Sequence, residues 1–127
     1  MHIYHKKDVH LPLVTDGEII YELIGRGVGE TTERHSVAIV VIPPGKSSLL
    51  HYHPEAEESY FILRGQARMT LGDEEAIVRS GQIVLVPPPK PHKIINIGEE
   101  DLEFLAFCVP AWEPTNTDWL EDGAGGE

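Results

Sequence analysis

Gly45-Lys46-Ser47-Ser48-Leu49-Leu50-His51-Tyr52-His53-Pro54-Glu55-Ala56-Glu57-Glu58-Ser59-Tyr60-Phe61-Ile62-Leu63-Arg64-Gly65 carries most of this chain's chemistry. On extended backbone side chains alternate, so His51 and His53 point to one side and Tyr52 to the other. Such a pair on a strand can grip a single ion. Further on, Glu58, Tyr60 and Ile62 share one face, and Ser59, Phe61 and Leu63 share the other. A carboxylate on an otherwise apolar inward face is costly unless something pairs it, and a divalent cation is such a partner. The bland alternative puts Glu58 at the strand's mouth, solvated or salt-bridged, with Glu55 and Glu57 as equal candidates. A fourth candidate, His92, follows Pro87-Pro88-Pro89-Lys90-Pro91, whose prolines fix the backbone that presents it. Taken alone, it is an ordinary surface or satisfied histidine. Three imidazoles and one carboxylate together suit a transition-metal ion.

The flanking sequence reads as short strands at 19–24, 36–42, 59–63, 67–71, 76–79, 83–86 and 102–109. Turn residues punctuate them: Pro43-Pro44-Gly45, Arg64-Gly65, Gly72-Asp73, Ser80-Gly81 and Pro87-Pro88-Pro89. Gly72-Asp73 with Glu74 makes a compact hairpin connection. Residues 36–42 are apolar on both faces, the pattern of a strand buried on both sides. No amphipathic helix stands out, and the 10 prolines argue against one. An all-β sandwich or barrel with little or no helix is expected. Gly25-Arg26-Gly27-Val28-Gly29 follows a strand but lacks dinucleotide-fingerprint spacing, and no helical pattern follows.

At 127 residues the chain is expected to form one domain, 1–127. Within it, 1–34 reads as an N-terminal arm and first strand, 35–110 as the core, and 111–127 as an acidic, partly disordered tail. His2, His5 and His10 are irregularly spaced, which favours an arm packed along the domain or a neighbouring subunit over a metal-binding arm. The formal net charge of −11 repels a phosphate backbone, so nucleic acid is not an expected partner. No apolar run approaches the roughly 20 residues that span a bilayer. The start MHIYHKKDVH lacks the apolar region of a signal peptide, so a cytoplasmic protein is the expectation. Cys108, the single cysteine, excludes an intrachain disulfide and reads as a small buried hydrophobe.

The central stretch resembles the first motif of the cupin family, G(x)5HxH(x)3–4E(x)6G, at Gly45, His51, His53, Glu58 and Gly65. The spacing to Gly65 puts Glu58, not Glu57, in the family's ligand position. The second motif, G(x)5PxG(x)2H(x)3N, is matched by Gly81, Pro87, His92 and Asn96, with Pro89 standing where glycine is usual. The resemblance implies a jelly-roll β-barrel of antiparallel strands, with His51, His53, Glu58 and His92 facing inward around one metal ion. Imidazole ligands suit Fe, Mn, Ni or Zn and disfavour Mg and Ca. A divalent ion beside one carboxylate stays net positive and attracts an anionic or enolisable oxygen. Tyr60, Met69 and Phe104 are the candidate pocket residues, with plain core packing as the competing role for Met69 and Phe104. Cupins include oxygenases, decarboxylases and isomerases as well as ligand-binding modules. The expected function is therefore a metal-dependent enzyme on a small organic molecule. A non-catalytic small-ligand module is the alternative, and a scaffold with a structural metal is the third reading. A homodimer is also expected, through strand 36–42 and the arm.

Overall fold

The computed structural model describes residues 1–27 and 32–121. Val28 and Gly29 of the glycine loop, and the expected disordered end, lie outside the described residues. Among the described residues eleven strands follow in chain order: β1 (Leu13–Val14), β2 (Ile19–Ile24), β3 (Ser36–Ile42), β4 (His51–Tyr52), β5 (Glu57–Arg64), β6 (Gln66–Leu71), β7 (Glu74–Arg79), β8 (Ile83–Val86), β9 (His92–Asn96), β10 (Leu102–Val109) and β11 (Asp118–Trp119). The helical content among the described residues is two 3-10 turns, Lys6–Asp8 and Pro114–Asn116. The fold is all-β, as its turn-punctuated alternation of short apolar runs dictates.

The strands form two antiparallel sheets, ordered β1-β2-β3-β10-β5-β8 and β11-β4-β9-β6-β7. Their inner faces meet in one core. Ile42, Ile62, Ala67, Ile94 and Leu102 are fully buried there, with Val40, Met69 and Phe104 packed among them. The register aligns the inner rows of the larger sheet: Ile20 faces Val40, Val40 faces Phe104, and Phe104 faces Ile62.

Two glycines are fixed by geometry. Gly65, between β5 and β6, has φ +94, and a Cβ there would sit 3.0 Å from the Asp101 carbonyl oxygen. Gly17, just before β2, lies so close to the Ser47 backbone that any Cβ would run into the Ser47 carbonyl. The start of β2 is thereby held against the segment leading to His51. At the second motif the Pro88-Pro89 peptide is cis, and Lys90 N–H donates to the Pro87 carbonyl at 3.1 Å. The turn with proline in the glycine position still delivers His92 to the first residue of β9.

The outer face of β3 departs from the expectation of burial on both sides. Val41 is buried, but Val37 and Ile39 are only half-buried. Opposite registers place Tyr21, Ile39, Leu105, Phe61 and Ile83 in one unbroken row across five strands of this outer face. Near one end of the row Lys6 stacks its ammonium 4.9 Å from the Tyr21 ring and pairs with Glu103 at 3.4 Å.

Candidate metal centre

His51 begins β4, His53 follows it, Glu58 lies in β5 and His92 begins β9. The smaller sheet therefore supplies the histidines and the larger one the carboxylate, across the core. His51 is the register partner of His92. One ligand atom from each of the four residues lies within 4.8 Å of the other three, and all four side chains are buried. Glu55 and Glu57 are exposed, which removes them from the candidates. His2, His5 and His10 are exposed on the arm and take no part.

Each imidazole is oriented by a backbone carbonyl. Nδ1 of His51 lies 2.7 Å from the Leu49 oxygen, Nδ1 of His53 lies 3.1 Å from that of Asn116, and Nδ1 of His92 lies 3.0 Å from that of Lys90. A carbonyl only accepts, so Nδ1 carries the proton in each ring and the Nε2 lone pair faces inward. The Nε2 atoms of His53 and His92 each lie 3.0 Å from the same oxygen, Glu58 Oε1, and the Tyr60 hydroxyl donates to it at 3.2 Å. His53 Nε2 is buried without a hydrogen bond of proper geometry. Lone pairs converging on one carboxylate repel unless a positive charge lies between them. This donor set fits a metal ion.

The titration behaviour has the same origin. Burial works against charge on Glu58, but the adjoining His53 and His92 outweigh it and hold its pKa at about 2. Burial works against a charge on His53 as well, yet the adjoining Glu58 carboxylate prevails and its pKa is raised. Burial first, then neighbouring His92, lowers His51 to about 4. Burial and the Glu58 charge push Tyr60 well above the usual phenol range, so it stays a donor, and its partner is Glu58. Burial and then Glu58 raise Cys108 to about 12, which leaves it an inert thiol, only 2% exposed.

The centre opens onto a cavity of about 400 Å³. Tyr60 and Phe104 line it, with their ring centroids 4.7 Å apart. Met69 packs in the core and does not line it. Exposed Leu11 and Trp119 stand at the rim, one from the arm and one from the tail. Sequence reasoning missed the acidic wall. Glu18 and Glu22 also face this cavity, from the turn before β2 and from β2 itself. The signal was available, since Glu18, Ile20 and Glu22 alternate onto one face just as Glu58 does.

Burial, and then the charge of Glu58, raises Glu18 from 4.5 to about 7. The folded state thus holds this proton more tightly than the unfolded chain, and stability is lost as pH rises from 4.5 through about 7. Glu18→Gln removes that loss. In metal-free protein the variant is expected to be about 1–3 kcal/mol more stable than wild type at pH 8 and equal to it at pH 4. Urea unfolding at the two pH values measures the difference.

Two antiparallel sheets enclosing three histidines and a glutamate define a β-barrel built around a metal-ligand set. The Cupin domain family model matches residues 38–108, and the chain belongs to the cupin family. The uncharacterized protein MJ1618 of Methanocaldococcus jannaschii is 39% identical over 111 residues, covering 87% of this chain and 88% of that protein. The oxalate-binding protein of Thermotoga maritima is 34% identical over 68 residues, 54% of this chain and 56% of that protein. Oxalate decarboxylase of Lactobacillus farciminis, solved as a formate complex, superposes with a TM-score of 0.79 at 27% identity, over 91% of this chain and 35% of that one. The chain thus spans most of MJ1618 but only about half and about a third of the two oxalate proteins.

Proposed function

We propose that the protein is a metal-dependent enzyme acting on a small organic molecule, by chemistry of the oxygenase, decarboxylase or isomerase type. His51, His53, Glu58 and His92 are its ligands for one divalent transition-metal ion, Fe, Mn, Ni or Zn. The observation that carries this reading is the convergence of three Nε2 lone pairs and one carboxylate beside a cavity that His51 and Glu58 line. A bound ion supplies Lewis-acid or O2 chemistry there. The chain's own residues do the rest. The carbonyls of Leu49, Asn116 and Lys90 hold the imidazoles in one tautomer. Tyr60 fixes Glu58 Oε1. The walls formed by Phe104, Val40 and Ile20 exclude water beside the centre. Glu18 faces the cavity with a carboxylate whose pKa burial and the Glu58 charge hold at about 7 in the metal-free protein. Metal-loaded protein screened against enolisable acids, diketones, catechols and sugar phosphates is expected to turn over one class, and protein inert to all of them would overturn the enzyme reading.

The name of the Thermotoga maritima relative, an oxalate-binding protein, favours a second reading as a non-catalytic ligand module. That reading expects ligand-dependent thermal stabilisation without product.

A homodimer joined through the outer face of the larger sheet belongs to the same proposal. The row Tyr21, Ile39, Leu105, Phe61 and Ile83 is apolar across five strands, and beside it Leu85 and Val109 are more than half exposed. Light scattering is expected to give twice the 14.1 kDa chain mass, with Ile39→Glu yielding monomer. A monomeric wild type refutes it.

A further inference from the structure

The acidic wall decides what the cavity can hold. Three carboxylates line it, Glu18, Glu22 and Glu58, and no Lys or Arg does so among the described residues. The remaining stretches, 28–31 and 122–127, contain neither residue type. Arg26, beside the rim at Gly27, is committed elsewhere: it donates to the Ala111 carbonyl at 3.3 Å and pairs with Glu33 and Glu113 at 3.6 Å each. Glu22 is turned toward Gly27, whose amide donates to it. The Glu18 carboxylate has no hydrogen-bond partner among the described residues and faces the cavity. The other walls are Ile20, Ala38, Val40, Phe104 and Ala106.

Charge and size then act together. A divalent ion beside Glu58 retains one positive charge, which a single anionic oxygen neutralises. A second anionic group on the ligand would meet Glu18 and Glu22 in a poorly solvated space with nothing to balance it. A volume of about 400 Å³ falls in the range of sites for multi-ring or drug-sized molecules. It is far more than a two-carbon diacid fills.

Resting on the metal-centre reading above, we infer that the cavity takes a mainly apolar small molecule presenting one anionic oxygen group to the centre and a hydrogen-bond donor, best a cationic amine, to Glu18, and that it discriminates against dicarboxylates such as oxalate. The relatives named for oxalate share the barrel, and this chain's acidic wall points it to a different ligand.

The test uses full-length protein whose metal content is first fixed by elemental analysis. Three benzohydroxamic acids bearing para-aminomethyl, para-ethyl or para-carboxymethyl groups share one chelating head and one apolar body. Calorimetric titration at pH 8, with oxalate as a fourth ligand, is expected to rank aminomethyl above ethyl above carboxymethyl. The outer two should differ by at least about tenfold, the scale of one favourable charge contact. Oxalate should bind more weakly than the ethyl compound. Glu18→Gln should shrink the aminomethyl–carboxymethyl gap to about threefold or less. Carboxymethyl or oxalate binding as tightly as aminomethyl overturns the inference, as does fully metallated protein that binds none of the three hydroxamates. Protein that takes up no metal overturns the centre itself, and the failure appears at the loading step, before any ligand is added.

Discussion

Wild-type protein purified without a tag is expected to carry close to one equivalent of Fe, Mn, Ni or Zn, and the His51→Ala/His92→Ala double variant essentially none. These two histidines are paired across β4 and β9, with ring centroids 4.2 Å apart, so their removal takes half of the donor set at once. What remains is His53 and Glu58, a pair that binds divalent ions weakly. Losing a group that merely orients a ligand typically lowers metal affinity by about 10–100-fold, so losing two ligands should exceed about 1,000-fold. Elemental analysis after dialysis against a weak chelator reads this directly. Metal retained by the variant would place the ion elsewhere, and wild type without metal would remove the enzyme reading. The variant is expected to fold, because removing His92 also relieves the crowding of lone pairs around Glu58 Oε1.

Phe104→Ala is expected to cost about 3–5 kcal/mol, the usual toll for emptying a buried aromatic site. Phe104 is 1% exposed, on a strand flanked by partners on both edges. Its ring touches the cavity on one side and core residues on the other. Both of the roles considered for it from sequence are therefore geometrically open to one side chain. Urea unfolding separates them. A loss below about 1 kcal/mol would mark a wall residue whose removal only enlarges an existing space. The expected larger loss marks a core residue that happens to border the ligand.

The strands with strong β-branched or apolar alternation were legible from sequence. Residues 19–24, 36–42, 83–86 and 102–109 match β2, β3, β8 and β10 at both ends. Those strands draw their identity from burial of one or both faces, which the local pattern records. β4 and β9 were missed as strands because His51-Tyr52 and His92-Lys93-Ile94-Ile95-Asn96 carry polar residues on the inward face, where the pattern requires apolar ones. The exception marks the site. β1 and β11 are two residues each, too short to carry an alternation; β1 pairs with β2 across a tight turn, and β11 pairs with the distant β4. Sheet order is likewise non-local: β10 lies between β3 and β5 by pairings roughly forty residues apart or more. The four converging residues were legible through spacing, since positions separated by two on extended backbone share a face. Glu18 was overlooked because it precedes its strand and because isolated acids beside turns are usually solvated.

The C-terminal segment bears on occupancy of the centre in a way the ligand set alone does not reveal. β4 is two residues long, and β11 is one of its two neighbours, pairing Trp119 with His51. The Asn116 carbonyl fixes His53, Leu120 N–H donates to the Leu50 carbonyl at 2.9 Å, and Glu121 ties the Leu50 amide to Lys93. Docking of the segment and filling of the centre therefore share one free energy, and thermodynamic reciprocity makes each strengthen the other. A protease that clips the chain near Thr117 becomes a reporter of occupancy: chelator should hasten the cut, and the clipped protein should release its ion.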